Sequence, residues 1–109
     1  MAAVPTDLAD CSAAQLTALY RSAQASPLEA CAAVFARIDA CDSRINAFVC
    51  MDRAGATANA AGSSARWAQG RPLGPLDGVP VSIKDLILTK GLPTLRGSHT
   101  QDADQPWDV

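Results

Sequence analysis

Residues 74–85 read GPLDGVPVSIKD, and this stretch decides the class of fold that the sequence predicts. It opens with two turn dipeptides, Gly-Pro and Asp-Gly, and continues with apolar residues at every second position. This alternation predicts a strand over residues 79–84, with the apolar side chains on one face. Pro80 cannot donate a backbone hydrogen bond, which favours the start or the edge of a sheet. Lys84 stands where the alternation ends, beside Asp85.

Upstream of this strand the sequence predicts three helices, over about residues 12–25, 27–41 and 53–69. A Ser-x-x-Gln capping box begins the first helix at Ser12. The second begins at Ser-Pro-Leu-Glu, where Ser26 is a natural N-cap and Pro27 fits the first helical position. The third is dominated by alanine, which has a high helix propensity and little side chain to bury.

Composition excludes several classes of protein. The 109 residues suffice for one small domain at most, and 49% are hydrophobic and 18% charged, as in ordinary globular proteins. The net charge is -2 and there is no basic block, so we expect no direct contact with nucleic acid. No apolar run approaches the roughly 20 residues that span a bilayer, so we expect no membrane partner. The N-terminus lacks a secretory pattern, which predicts a cytoplasmic protein.

The four cysteines do not predict disulfides or a metal site. No pair has CxxC spacing, and the sequence indicates reduced thiols that act as small, partly buried hydrophobic residues. The thiol of Cys50 is expected to be buried. The only histidine, His99, lies in a polar loop, where we expect a solvated side chain. We therefore expect no metal site.

One strand does not form a sheet, because its backbone groups need neighbouring strands as hydrogen-bond partners. The elements predicted here supply no such partners. The sequence therefore predicts the opening section of a larger α/β domain, and we expect the chain to be an incomplete protein.

Lys84 has two interpretations. Lysines at strand ends usually lie in water and guard a sheet edge, and the strand pattern alone favours this structural role. In the alternative, the apolar neighbours of Lys84 strip water from its ammonium and favour the neutral amine. A neutral lysine can take a proton from a hydroxyl, as in serine–lysine catalysis.

Three segments together resemble the amidase signature family. They are GPLDGVPVSIKD, the following GLPTLRGS (residues 91–98) and the upstream SPLEACAAVFARIDACDSRINAFV (residues 26–49). The resemblance covers about residues 12–98. It implies that residues 1–109 form the N-terminal part of a single α/β amidase domain, in which helices precede the first strand or strands of a larger mixed sheet.

The resemblance also implies a mechanism based on a Ser–cis-Ser–Lys triad. Lys84 matches the triad lysine, and Asp85 matches a structural neighbour that takes no part in proton transfer. In the family both serines follow the lysine in a Gly/Ser-rich segment, which does not occur before Val109. We therefore expect these 109 residues alone to be inactive. Ser63 and Ser64 precede Lys84 in a helical pattern, and we interpret them as a helix irregularity or a surface polar patch.

Three functions remain open at this stage. The leading one, which the resemblance implies, is an amidase that hydrolyses the carbon–nitrogen bond of a small-molecule amide without a metal or an organic cofactor. The second is a glutaminase-like subunit of a tRNA-dependent amidotransferase, which requires partner subunits. The third belongs to a different class, a non-catalytic helical module that docks on a partner. The sequence does not indicate an oligomeric state.

Overall fold

The computed structural model describes residues 3–100 of the chain. They form two compact units. The first, called here the helical unit, consists of residues 3–45 and 52–80. The second, called the lysine-bearing unit, consists of residues 46–51 and 81–100 and contains Lys84.

The helical unit contains a short 3₁₀ turn followed by three α-helices. The 3₁₀ turn is Leu8–Asp10, and the helices are α1 (Ala13–Arg21), α2 (Pro27–Ile45) and α3 (Arg53–Ala68). Helix α1 ends four residues before its predicted end, because Ala23 turns into the left-handed region with φ +60°. Helix α2 runs four residues past its predicted end and stops before Asn46, whose φ is +52°.

Each helix begins at a polar cap that is visible in the sequence. The Ser12 hydroxyl accepts the Gln15 N–H at 3.1 Å, and the Gln15 side chain accepts the Ser12 N–H at 2.8 Å, which completes a capping box. The Ser26 hydroxyl accepts the N–H of Glu29 at 3.2 Å at the start of α2. The Asp52 carboxylate accepts the N–H of Gly55 at 3.0 Å at the start of α3. These caps satisfy N–H groups that have no partner within the helix.

The core of the helical unit is small. Leu16 and Tyr20 of α1 pack against Ala30 of α2, and all three are buried. Partly buried apolar side chains surround this cluster, namely Leu8, Cys11, Trp67 and Val79. The Tyr20 and Trp67 rings lie with their centroids 5.8 Å apart in a tilted arrangement. Burial of one large aromatic pair therefore joins α1 to α3.

The predicted strand over residues 79–84 is not formed in the described part of the chain. Residues 3–100 contain no strand, and only an isolated antiparallel bridge joins Thr89 to Leu92. Val81 is 81% exposed and Ile83 55% exposed, so the predicted apolar face lies open. The physical reason is the one given by the sequence: residues 79–84 have no neighbouring strand within residues 3–100. The mixed sheet of the predicted α/β fold is thus not seen in this part of the protein.

Two further observations concern membranes and metals. Among residues 3–100, no helix combines the length and the apolarity that a bilayer-spanning segment needs. The same residues contain no group of three or more His, Cys, Asp or Glu side chains placed to hold a metal ion. The cysteines are free, and Cys50 is exposed, which corrects the expectation that its thiol is buried.

Candidate active site around Lys84

Lys84 stands at the junction between an extended segment and a tight turn. Its carbonyl oxygen accepts two backbone hydrogen bonds, from the N–H of Leu86 at 2.8 Å and from that of Ile87 at 3.1 Å. These bonds fix the backbone of Lys84, whereas its side chain is exposed. The dehydration of the ammonium that the sequence suggested is therefore not present within residues 3–100. The apolar neighbours of Lys84 along the chain are themselves open to solvent and do not enclose it.

A cavity of about 450 Å³ lies within the lysine-bearing unit. One wall consists of residues 47–50, and the other comes from residues 82–93, including Lys84 and Asp85. The lining combines apolar side chains with a cation, a carboxylate and hydroxyl groups. Small-molecule sites have this combination of apolar walls and a few polar groups. Lys84 is thus part of the lining of a cavity of this mixed character.

Asp85 ties the turn to the loop that follows it. One carboxylate oxygen, Oδ1, accepts the N–H of Leu95 at 3.0 Å. The other oxygen, Oδ2, is buried and has no hydrogen-bond partner among residues 3–100. The Thr94 hydroxyl is also buried and donates to the carbonyl of Ile87 at 3.4 Å. The loop that walls the cavity is thus held by polar contacts close to Lys84.

Ser98 and Thr100, which follow this loop, make local contacts. The Ser98 and Thr100 hydroxyls are 2.7 Å apart, and the Thr100 N–H donates to the Ser98 hydroxyl at 3.1 Å. Ser98 thus occupies a turn, the role that a turn serine ordinarily has. His99 is exposed.

Ser63 and Ser64 have structural contacts in the helical unit. The Ser63 hydroxyl donates to Asp77 Oδ1 at 2.8 Å, and Ser63 is only 2% exposed. The Ser64 hydroxyl accepts the N–H of Leu28 at 3.1 Å, near the start of α2. The interpretation of this pair as a surface patch or an irregularity is wrong for Ser63, because α3 runs through it and buries its hydroxyl.

Asp77 is the residue whose importance the sequence did not reveal. Its carboxylate accepts two hydrogen bonds from the Arg66 guanidinium, from Nε at 2.8 Å and from a terminal nitrogen at 2.7 Å. It also accepts the Ser63 hydroxyl and the N–H of Leu73 at 2.9 Å. The hydrogen bonds from Arg66 hold the pKa of Asp77 well below its usual range, against the effect of burial.

Gly78 completes this turn, which joins all three helices. The Tyr20 hydroxyl of α1 donates to the Gly78 carbonyl at 2.9 Å, and the Trp67 indole of α3 donates to the Asp77 carbonyl at 2.8 Å. Gly78 has φ +83°, and a Cβ atom there would lie 2.5 Å from both Pro27 Cγ and Ser63 Oγ. The Asp-Gly dipeptide indicated a turn, but these partners are far apart in sequence, so no local pattern predicts them.

Comparison with known proteins identifies the family of the sequence that contains the Asp77–Gly78 turn and Lys84. The sequence profile of the family described as Amidase matches residues 29–106, a range that includes Lys84. The chain belongs to the amidase family. The resemblance stated from the sequence is thereby confirmed for the family as a whole.

Three similar curated relatives carry the same name. The chain is 47% identical over 94 residues to the A subunit of glutamyl-tRNA(Gln) amidotransferase from Salinispora arenicola (strain CNS-205). This match covers 86% of this chain and 19% of that protein. It is 46% identical over 104 residues to the protein of the same name from Salinispora tropica, and this match covers 94% of this chain and 21% of that protein. It is 40% identical over 99 residues to the protein of the same name from Myxococcus xanthus, and this match covers 91% of this chain and 20% of that protein. The chain thus spans about a fifth of the length of these relatives. No solved structure matches it.

These names correct one expectation from the sequence. The prediction of no direct nucleic acid partner is wrong, because the relatives are named for an amidotransferase of glutamyl-tRNA(Gln), and tRNA is a nucleic acid. The prediction failed because it used the charge of 109 residues. The relatives are about five times as long as this chain, and the charge of one fifth of such a protein does not report on its partners.

Proposed function

We propose that the complete protein is the amide-hydrolysing component of a tRNA-dependent amidotransferase, and that Lys84 is its catalytic base. The observation that carries the proposal is the 47% identity to a relative of that name over 86% of the chain, in a range that includes Lys84 and its cavity. In this account the amide is that of a small molecule such as glutamine. The ammonia released is passed to glutamyl-tRNA(Gln), so the complete assembly has a nucleic acid partner.

The chemistry assigned to Lys84 follows from the family's Ser–cis-Ser–Lys triad. The neutral amine takes a proton through a bridging serine, which activates a second serine to attack the amide carbonyl. An acyl-enzyme forms as ammonia leaves, and water then hydrolyses the acyl group. In this proposal both serines come from the part of the complete protein outside these 109 residues. Lys84 by itself therefore gives no turnover.

Covering the cavity is the second requirement of the mechanism. An exposed ammonium stays hydrated and protonated, whereas a catalytic amine must be free to accept a proton. We propose that further strands of the complete protein pair with residues 79–84, that both units belong to one amidase domain, and that the resulting mixed sheet encloses Lys84. We also retain the cytoplasm as the location of this assembly, on the strength of the sequence pattern.

A free-standing amidase is the second candidate, because it shares the family and the triad. It needs no tRNA and no partner subunits. Co-purification with partner subunits, and ammonia transfer to glutamyl-tRNA(Gln), distinguish the amidotransferase from it. The helical interaction module gains no support from a family match that extends through the lysine segment.

The test uses the complete protein assembled with its partners. We expect Lys84→Ala and Lys84→Arg to lower both ammonia release from glutamine and conversion of glutamyl-tRNA(Gln) by about a hundredfold to ten-thousandfold. Lys90→Ala is the matched control, because it removes an exposed lysine from the same unit and should retain both activities. Ammonia release without transfer to tRNA would favour the free-standing amidase. Full activity of Lys84→Ala would contradict the role of Lys84, and amide hydrolysis by residues 1–109 alone would contradict the dependence on serines outside them.

A further inference from the structure

The carboxylate of Asp85 is satisfied on one side only. Its Oδ1 accepts the N–H of Leu95, whereas its Oδ2 is buried without a hydrogen-bond partner in the described range 3–100. A buried carboxylate oxygen that has lost water and gained no donor is unfavourable, and native proteins rarely leave one in that state. By contrast, the Asp77 carboxylate receives hydrogen bonds on both oxygens.

The residue type makes the second oxygen informative. The bond to Leu95 needs a single acceptor, which the side-chain carbonyl of an asparagine would supply equally well. A carboxylate differs from that amide because both of its oxygens accept hydrogen bonds and neither donates. Asp85 is therefore chemically suited to receive two donors, of which residues 3–100 provide one.

The surroundings of Asp85 indicate where the second donor comes from. Ile83, Leu86 and Ile87 flank it in sequence, and each is more than half exposed. Open apolar surface of this kind is covered in a complete protein, and the curated relatives are about five times as long as this chain. Oδ2 is already shielded from solvent, so a substrate that exchanges at every turnover is a poor partner for it. A polypeptide group that packs there permanently is a better one.

We propose that Asp85 is a positioning residue whose Oδ2 accepts a hydrogen bond from an N–H or O–H group in the remaining part of the complete protein, while Oδ1 fixes the cavity loop through Leu95. The proposal rests on the proposed function, because it assigns Asp85 to the site of Lys84. With both bonds made, the turn is held from two sides at the residue next to the catalytic lysine. A misplacement of about 1 Å near reacting atoms can lower a rate about a hundredfold, so fixing this turn matters for catalysis.

The experiment compares Asp85→Asn with Asp85→Ala in the complete protein assembled with its partners. Asparagine keeps one acceptor for Leu95 and replaces the other oxygen with a donor, which a second donor repels. We expect Asp85→Asn to lower kcat for glutamine hydrolysis by about tenfold to a hundredfold, with KM changed less than about twofold, and to lower the melting temperature of the substrate-free protein. Asp85→Ala should lower kcat further and make the loop around Leu95 more sensitive to proteolysis.

Asp39→Asn is the matched control, since Asp39 is an exposed carboxylate on α2 and should leave kcat unchanged. If Asp85→Ala fails to fold, Asp85→Asn carries the test alone. An Asp85→Asn protein with wild-type kcat and wild-type melting temperature would overturn the proposal, since one acceptor would then suffice. An increase in KM alone, with an unchanged substrate-free melting temperature, would assign the donor to the substrate and also overturn it. If Lys84→Ala stays active, the proposed function fails. The melting temperature of the substrate-free Asp85→Asn protein then still tests whether Oδ2 accepts a second hydrogen bond.

Discussion

Two aspartate turns in this chain differ in how fully their hydrogen bonds are satisfied. The Asp77–Gly78 turn of the helical unit uses both carboxylate oxygens and two backbone carbonyls, with partners from α1 and α3. Among residues 3–100, the Lys84–Asp85 turn of the lysine-bearing unit leaves one buried oxygen without a hydrogen-bond partner and is surrounded by exposed apolar side chains. The first turn is thus complete within the described residues. The second is the turn that we propose is completed by other parts of the protein.

The largest expected effect on the complete turn comes from Gly78→Val. The substitution places a branched side chain at φ +83° and brings its Cβ within 2.5 Å of Pro27 and Ser63. Left-handed strain and overpacking together predict a loss of about 3–5 kcal/mol in the free energy of unfolding. Chemical denaturation followed by far-UV circular dichroism measures it. Gly74→Ala is the control, because a Cβ there meets no atom within 4 Å. Equal stability of the two variants would contradict the close packing of Gly78.

A smaller loss is expected for Asp77→Ala. The change removes a 6% exposed carboxylate and leaves the Arg66 guanidinium, the Ser63 hydroxyl and the Leu73 N–H without their acceptor. The Arg66 side chain is 34% exposed and can regain water when Asp77 is removed. We therefore expect the free energy of unfolding to fall by about 2–3 kcal/mol, which is less than the usual loss when a fully buried ion pair is broken. The same denaturation experiment checks it. A loss below that of a typical surface substitution would show that the turn does not depend on Asp77.

Asp77 also predicts a dependence of stability on pH. Its pKa is lowered in the folded state, chiefly by the hydrogen bonds from Arg66, so the unfolded chain binds the proton more tightly. The stability that Asp77 contributes is therefore complete above about pH 5 and is lost progressively as the pH falls through the unfolded pKa of about 3.8 toward the lower folded pKa. Comparison of wild type with Asp77→Asn isolates this contribution. The difference in stability between them should shrink on acidification, and a constant difference would contradict the assignment.

Tyr20→Phe should have a moderate effect on the same turn. It removes the hydroxyl that donates to Gly78 and leaves that carbonyl without this donor, at a cost of about 1 kcal/mol. Burial raises the pKa of Tyr20 to about 12 from an ordinary value of 10.0. The stability that the Tyr20 hydroxyl contributes is therefore complete below pH 10 and is lost as the pH rises through about 12. Denaturation across this alkaline range should show a steeper fall in the free energy of unfolding for wild type than for Tyr20→Phe. Parallel pH dependences of the two proteins would contradict the role of the Tyr20 hydroxyl.

The smallest effect is expected outside both turns, at Arg37. Its guanidinium pairs with Asp7 at 2.7 Å and with Asp10 at 2.9 Å, but all three side chains are exposed. Exposed ion pairs contribute little because water and salt screen them. Arg37→Ala should leave stability unchanged within error at physiological ionic strength. A large loss would mean that surface charges, rather than the Asp77–Gly78 turn, hold the helical unit together.

Local patterns predicted what depends on local contacts. The caps at Ser12, Ser26 and Asp52 follow from side chains that bond backbone N–H groups three residues ahead. The lysine segment was placed in its family by an ordered motif that needs no three-dimensional contact. The same motif predicted Lys84, whose catalytic role stays a prediction.

Contacts between distant residues were beyond such patterns. The partners of Asp77 lie up to 14 residues away and that of Gly78 lies 58 residues away, so neither the Arg66–Asp77 ion pair nor the close approach at Gly78 follows from sequence spacing. The strand over residues 79–84 had the right alternation, but a strand also needs neighbours, and residues 3–100 supply none. Lys84 is exposed for the same reason, because no neighbouring strand within residues 3–100 covers it.

Single-turnover acylation of the complete protein tests the role of Lys84 most directly. Because the Lys84 side chain is exposed within residues 3–100, its removal should leave the helical unit folded, and circular dichroism can confirm this. We expect Lys84→Ala to slow formation of the acyl-enzyme by about a hundredfold to ten-thousandfold, the range that general base catalysis supplies, while Lys90→Ala acylates like wild type. A burst of acyl-enzyme with wild-type rate and amplitude in Lys84→Ala would contradict the account.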